Sequence, residues 1–201
     1  MLSKLPLFLT FNVALALTIG TWSPLSSAKP AFDCSKADSD VETLICEDGD
    51  LQELDRRLAK TWAQATANWP PEVTAEQRAI QRGWIKGRND CWKAEDMKEC
   101  VTFAYDSRLV ELSITAGLVE APDYQSVSCD DDYTGPFTAV FYNTLSPRAA
   151  VFTRGNDQVI ALAQPVASGM HYVGDGVDFR GKGSEGTFDW FGKSLTCQIT
   201  P

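Results

Sequence analysis

The sequence predicts an α+β protein in two domains, a small disulfide-linked α-helical bundle followed by a small antiparallel β-barrel of about eight strands. Three observations predict this. Apolar residues recur with a helical period from Ser39 to about Leu112 and with a period of two beyond Tyr124. Gly-, Asn- and Asp-rich turns cut the second half into short runs. Six cysteines are spread over both halves, an even number that in an exported chain implies a disulfide framework.

Export is read from residues 1–28. "MLSK" supplies a positive charge, "LPLFLTFNVALALTIGTW" an apolar run, and "SPLSSA" places Ser26 and Ala28 at the minus-three and minus-one positions of a cleavage site. An uncleaved anchor is the alternative; Pro6, Asn12 and the small-residue exit favour a cleaved signal peptide. Cys34 sits behind "AFD", outside a lipoprotein-type context. The expected location is the periplasm or the secreted fraction, with no stable membrane insertion after cleavage.

Residues 29–114 form the predicted helical domain. "SDVE" is a capping box ahead of Val41, Leu44 and Ile45, and the helix stops near Gly49. Asp50 is the expected cap of a longer helix carrying Leu51, Leu54, Leu58, Trp62, Ala65 and Trp69 on one stripe, ended by Pro70 and Pro71. "TAEQ" is the expected cap of a third, with Ile80, Trp84 and Ile85 on one side. Its ridge of Arg78, Arg82, Lys86 and Arg88 reads as a solvated face pairing with nearby acids. A fourth begins near Met97 and carries Val101, Ala104, Tyr105, Leu109 and Leu112. The tryptophan stripe reads as core rather than as a sugar-stacking platform.

Residues 115–123 read as a linker and 124–201 as the barrel. "YQSVSC", "PFTAVFYN", "RAAVFT", "DQVIALAQ", "MHYV", "GVDFRG", "GTFDWFG" and "KSLTCQIT" are the strand candidates, divided by turns such as "RGND", "GDG" and "FGKS". Closure into a barrel removes exposed edges. Cys129 and Cys197 lie on the first and last strands, and a bridge between them would stabilise the barrel by ~4 kcal/mol on the chain-entropy model.

A bundle of this size is near the lower limit for a stable core, so cross-links at its open end make physical sense. Bonds from Cys34 and Cys46 to Cys91 and Cys100 are the preferred pattern; sequential pairing, 34 with 46 and 91 with 100, is the alternative. Zinc is disfavoured because no C-x-x-C occurs and there is one histidine. No metal and no cofactor are expected. The formal net charge is −9, shared evenly by the two halves after the leader. Such a surface disfavours nucleic acid and anionic membranes and steers a basic partner.

In this acidic chain the stretch "ASGMHYVGDGVDFRGKGSEG" sets Lys182 between two glycines on a hairpin tip. Glycines permit sharp turns and keep neighbouring side chains away, so the lysine is presented rather than packed. By itself such a lysine is an ordinary solvated turn residue, and Ser168–Gly169 is an ordinary turn. His171 is expected on a strand face with no catalytic role.

The segment from Tyr124 to Thr200 resembles the MliC-like family, the membrane-bound or periplasmic inhibitors of C-type lysozyme. The matching stretches are "VFYN", "RAAVFTRGNDQVIAL", "ASGMHY" against the family's Ser-Gly-x-x-Tyr, "FRGKGSEG" against its aromatic-x-x-Lys-Gly-x-x-Ala, and "LTC". Arg180 replaces the usual tryptophan and Gly186 the usual alanine. The helical half resembles the LprI-type N-terminal domain, also associated with lysozyme inhibition, through "FDCSKADSDVETLIC", "DLQELDRRLAKTWAQA", "QRGWIKGRNDC" and "CVTFAYDSRLVEL".

The resemblance implies an eight-stranded barrel and a partner that is a basic, retaining glycosidase whose cleft holds one protonated and one ionised carboxyl. It implies that Ser168 and Lys182 enter that cleft. Gly169 and Gly183 would allow close backbone approach, and Tyr172 would pack beneath the loop. Two other classes are weighed. Catalysis is disfavoured: with three bridges no cysteine is free, and the adjacent Asp130, Asp131 and Asp132 would alternate between faces, a poor acid–base pair. The other is a non-catalytic periplasmic adaptor or ligand-binding module acting on another envelope component.

Overall fold

The computed structural model describes residues 29–130 and 137–200; the stretch assigned to the leader lies outside them. The helical half begins with a single 3-10 turn at Cys34–Lys36. Ser39 caps α1 (Asp40–Glu47) by accepting from the Glu42 N–H. The Glu42 carboxylate reaches one residue further back than in a capping box, accepting from the Asp38 N–H at 3.1 Å.

Two expected helix starts move. Asp48, not Asp50, caps α2 (Gly49–Asn68), its carboxylate accepting from the N–H groups of Asp50 and Leu51. Asp48 has the extended backbone that a cap needs, whereas Asp50 already lies in the first turn. α3 (Pro71–Asn89) starts at Pro71 rather than after Thr74. Proline is pre-set for the first helical position, and Thr74 is buried inside the turn it was expected to cap. α4 (Met97–Thr115) is capped by Asp96, which accepts from the Glu99 N–H.

Val41, Ile45, Leu51, Leu58, Val101, Tyr105 and Leu112 form the core of this half, with Trp62, Trp69 and Trp84 packed against it. The basic ridge divides. Arg78, Arg82 and Lys86 are exposed, but Arg88 is 5% exposed. Its Nη1 donates to the Tyr105 hydroxyl at 2.9 Å, and that hydroxyl donates to Asp55 Oδ1 at 2.8 Å. A buried guanidinium needs such partners. Arg108 is also fully buried, its Nε donating to Gln81 at 2.9 Å and its Nη1 lying 2.8 Å from Glu111.

The first four cysteines pair sequentially, Cys34 with Cys46 and Cys91 with Cys100, against the preferred cross-linked pattern. The reason is the brevity of the local chain. α1 has 8 residues, so its last turn returns Cys46 beside the 3-10 turn that carries Cys34. A second 3-10 turn at Asp90–Lys93 hands the chain directly to the first turn of α4. Cα separations of 5.9 Å and 5.6 Å suit both bonds.

The second half is a closed antiparallel barrel with strands in chain order: β1 (Tyr124–Cys129), β2 (Phe137–Tyr142), β3 (Ala149–Arg154), β4 (Asp157–Ala163), β5 (Met170–Gly174), β6 (Val177–Lys182), β7 (Glu185–Trp190) and β8 (Lys193–Thr200). β1 pairs with β8, and Cys129 stands opposite Cys197 in that register, joined by the third disulfide. Alternation sends Phe137, Phe152, Phe179 and Phe188 inward, where they are essentially inaccessible. Phe152 and Phe188 have centroids 4.8 Å apart. Phe179 lies 5.0 Å from Phe152. Aromatic rings thus fill a barrel of this strand number, leaving a packed interior.

The two halves are packed together. Val110 and Ile114 of α4 meet Ala149, Leu162 and Ile160 on the outer faces of β3 and β4. α4 therefore buries one side in its own bundle and the other on the barrel. β3 is buried on both faces from Ala149 to Phe152 for the same reason.

Candidate functional site

Two loops meet at one end of the barrel. The first leaves β4 and returns as β5, and carries Ser168 and Gly169; the second is the β6–β7 hairpin, in which Lys182 stands opposite Glu185. Gly183 has φ +64° and occupies the first central position of that turn, where a two-residue hairpin favours glycine. Gly169 has φ +80°, and a Cβ built on it would run into the Gly181 carbonyl oxygen, with Lys182 Cβ 3.5 Å away. The absence of a side chain at Gly169 is what lets the first loop lie on the second.

As a result Ser168 and Lys182 border one depression of about 450 Å³, together with Met170, His171, Arg180 and Thr187. Both Ser168 and Lys182 are exposed. Lys182 takes part in none of the ion pairs among the described residues. Its ammonium donors are thus not taken up by any of those pairs.

Tyr172, next along β5, is 3% exposed and packs against Phe141 at 5.5 Å and Phe152 at 6.4 Å. Burial raises the pKa of its hydroxyl, while Arg148 opposes that shift. It is part of the barrel core, in the strand that follows the Ser168 loop. Gly169 and Gly183 lie at the two places where the loops need them. The expected site residues Ser168, Gly169, Lys182 and Gly183 are therefore gathered at one end of the molecule.

Sequence reasoning missed a polar cluster beside them. His171 Nε2 lies 3.1 Å from both carboxylate oxygens of Asp178, and Arg180 Nε lies 3.3 Å from Asp178 Oδ1. Their placement is legible only from register: His171 stands opposite Arg180 on the neighbouring strand, and Asp178 shares the face of Arg180 by alternation. Asp130, of the acidic triplet, accepts from the Thr196 N–H at 2.7 Å and so helps close β1 onto β8. Asp131 and Asp132 lie outside the described residues.

The second half is thus a closed eight-stranded barrel with a disulfide across its closing strands and Ser168 and Lys182 on adjoining loops. The family of the membrane-bound lysozyme-inhibitor of c-type lysozyme matches residues 127–196 of the chain. The likeness extends over the helices as well. The lipoprotein LprI of Mycobacterium bovis and that of two strains of Mycobacterium tuberculosis are each 33% identical to the chain over 180 residues, spanning 90% of it and 88% of the relative. No solved structure matches. The chain belongs to the LprI family, a helical domain joined to an MliC-type barrel.

Proposed function

We propose that the chain inhibits C-type lysozyme by lodging Lys182 and Ser168 in the enzyme's catalytic cleft, thereby protecting bacterial peptidoglycan. The barrel's membership of a lysozyme-inhibitor family supports the general role. The observation that supports the specific reading is the close approach of the two loops at Gly169, where an added Cβ would meet the Gly181 carbonyl and Lys182 Cβ, with Ser168 and Lys182 bordering one depression.

The chemistry follows from the target. A retaining glycosidase of this class holds two carboxyls flanking the scissile bond. The Lys182 ammonium would donate to them, and the Ser168 hydroxyl would add a hydrogen bond from the side. No turnover is involved in this role, and no cofactor is needed. The formal charge of −9 would draw the basic enzyme in, so that the ammonium meets the one acidic groove of a cationic surface.

In this proposal the functional units are 29–114 and 124–201, and the protein acts in the periplasm or outside the cell. Among the described residues no helix is long and apolar enough to cross a membrane. Cys34 is bonded to Cys46, so its sulfur is not available for a lipid thioether.

The test is titration of the purified chain into lysozyme acting on bacterial walls. Stoichiometric loss of lysis is expected. Lys182→Ala should weaken inhibition by about one to several decades, the loss expected for one member of a desolvated charge pair. Unchanged inhibition by that variant would remove the mechanism.

A further inference from the structure

At the other end of the barrel the β5–β6 and β7–β8 turns lie near α4. Beside the seam formed by Val110 and Ala149, a cleft of about 780 Å³ separates α4 from the β5–β6 and β7–β8 turns, with Phe103 and Glu111 on one wall and Asp175 and Phe191 on the other. Ile160 and Val173 add apolar surface between them. This volume is in the range of ligand clefts, and a domain junction is a common place for one.

Three features of the cleft point the same way. Phe103 is 48% exposed and Phe191 61% exposed, so neither ring is consumed by the core. Phe191 is also the one non-glycine residue with positive φ among those described, at 51°. Its N–H donates to the Gly176 carbonyl at 2.7 Å, a bond that glycine would make at lower conformational cost. The ring rests over Gly176 and edge-on to Trp190 at 5.3 Å, contacts that hold a bulky residue in the left-handed region while most of the ring still faces outward.

Charge supplies the third feature. Glu99, Phe103, Ser107 and Glu111 recur at every fourth position of α4 and so form one stripe. Glu99 and Phe103 also line the adjoining hollow with Asp96, Asp106 and Lys98, the last already paired with Asp48 and Asp50. No lysine or arginine lines the main cleft. Apolar surface from Phe103, Ile160, Val173 and Phe191 is thus flanked by acidic side chains.

We propose that this cleft binds a cationic amphipathic helix, its apolar face held between Phe103 and Phe191 and its basic side chains along Glu99 and Asp175, Glu111 being already paired with Arg108. Grooves of this kind take helices through apolar anchors one turn apart, and the acidic margin selects the sign of the partner. β6 runs from Val177, next to the Asp175 turn, to Lys182 at the far hairpin, 6 residues or ~20 Å away. Both ends can therefore be occupied at once. The proposal does not rest on the lysozyme reading.

The test uses the full chain and a labelled peptide of about 18 residues, five turns, built from leucine and lysine to form an amphipathic helix. The matched leucine–glutamate peptide and a small apolar dye serve as controls. Binding of the lysine peptide only is expected, falling as salt rises. Phe191→Gly and Phe103→Ser should each weaken it about tenfold, as loss of a central anchor does. Asp175→Asn, a turn substitution that leaves the apolar contacts intact, should weaken it severalfold and flatten the salt dependence. Lys182→Ala should leave it unchanged. No binding, equal binding of the glutamate peptide, binding of the dye alone, or loss in Lys182→Ala with retention in Phe191→Gly would each overturn the proposal.

Discussion

Gly169→Ala tests the coupling of the two loops most sharply. At φ +80° any L-residue carries a torsional cost of about 1–2 kcal/mol. The new methyl would also run into the Gly181 carbonyl oxygen. That carbonyl cannot give way easily, because Gly181 stands opposite Met170 in the β5–β6 ladder and opposite Gly186 in the β6–β7 ladder. The loop must therefore swing outward, carrying Ser168 away from Lys182. Losing the hydroxyl contact and part of the fit should weaken inhibition roughly 10- to 100-fold, or about 1.4–2.8 kcal/mol. The control is Gly183→Ala. Its φ of +64° carries the same torsional penalty, but nothing lies within 4 Å of the new methyl. It should lower the melting temperature by a similar few degrees and weaken inhibition by less than about tenfold. Inhibition constants and melting curves of both variants, measured side by side, decide it. Equal inhibition by the two, or parental inhibition by Gly169→Ala, would refute the packing argument.

Replacing Cys129 and Cys197 by serine opens a loop with a sequence separation of 68 and should cost the barrel ~4 kcal/mol, read from its denaturation midpoint. Peptide mapping without reduction should recover Cys34–Cys46 and Cys91–Cys100 as separate linked pairs; any bond between the two pairs would contradict the structure. Tyr105→Phe removes the hydroxyl between Arg88 and Asp55 and should destabilise the helical domain by about 1–3 kcal/mol while the barrel is unaffected. The hydrogen bond from Lys98 holds the Asp48 carboxyl below its ordinary pKa of 3.8. Between that lowered value and 3.8 the unfolded chain binds more protons, so this contribution is complete above pH 3.8 and is lost as pH falls through the native value. Asp48→Asn should flatten that acid limb of helical-domain stability, measured by denaturant midpoints between about pH 2 and pH 5.

The barrel was the most legible part of the sequence. Alternating runs between glycine turns marked all eight strands because each turn residue has a local job and each strand has one polar face. The exceptions had a cause outside the strand: "AAVF" and "VIALA" break the alternation because α4 covers β3 and β4 from outside. A helix apolar on two sides was the signal for that contact. Helix starts were less legible, since Asp48 and Asp50 are chemically equal candidates and only the extended backbone of Asp48 decides between them. Arg88 looked like its exposed neighbours, and its burial depends on Tyr105, distant in sequence. Cysteine pairing failed because spacing cannot say which way a short helix returns. At the site, motif and structure agree on Ser168 and Lys182 lying together. The His171–Asp178–Arg180 cluster needed strand register, which composition does not carry.

The central claim, that the Lys182 ammonium meets the carboxyls of the lysozyme cleft, is tested most directly by a double-mutant cycle. Lys182→Met in the inhibitor is combined with amide replacement of each catalytic carboxyl in the enzyme, and the four affinities are measured by titration calorimetry. A coupling of about 1.5 kcal/mol or more with at least one carboxyl is predicted, as for close charge pairs at other interfaces. Additive losses, with coupling below about 0.5 kcal/mol for both, would place the ammonium elsewhere and contradict the account.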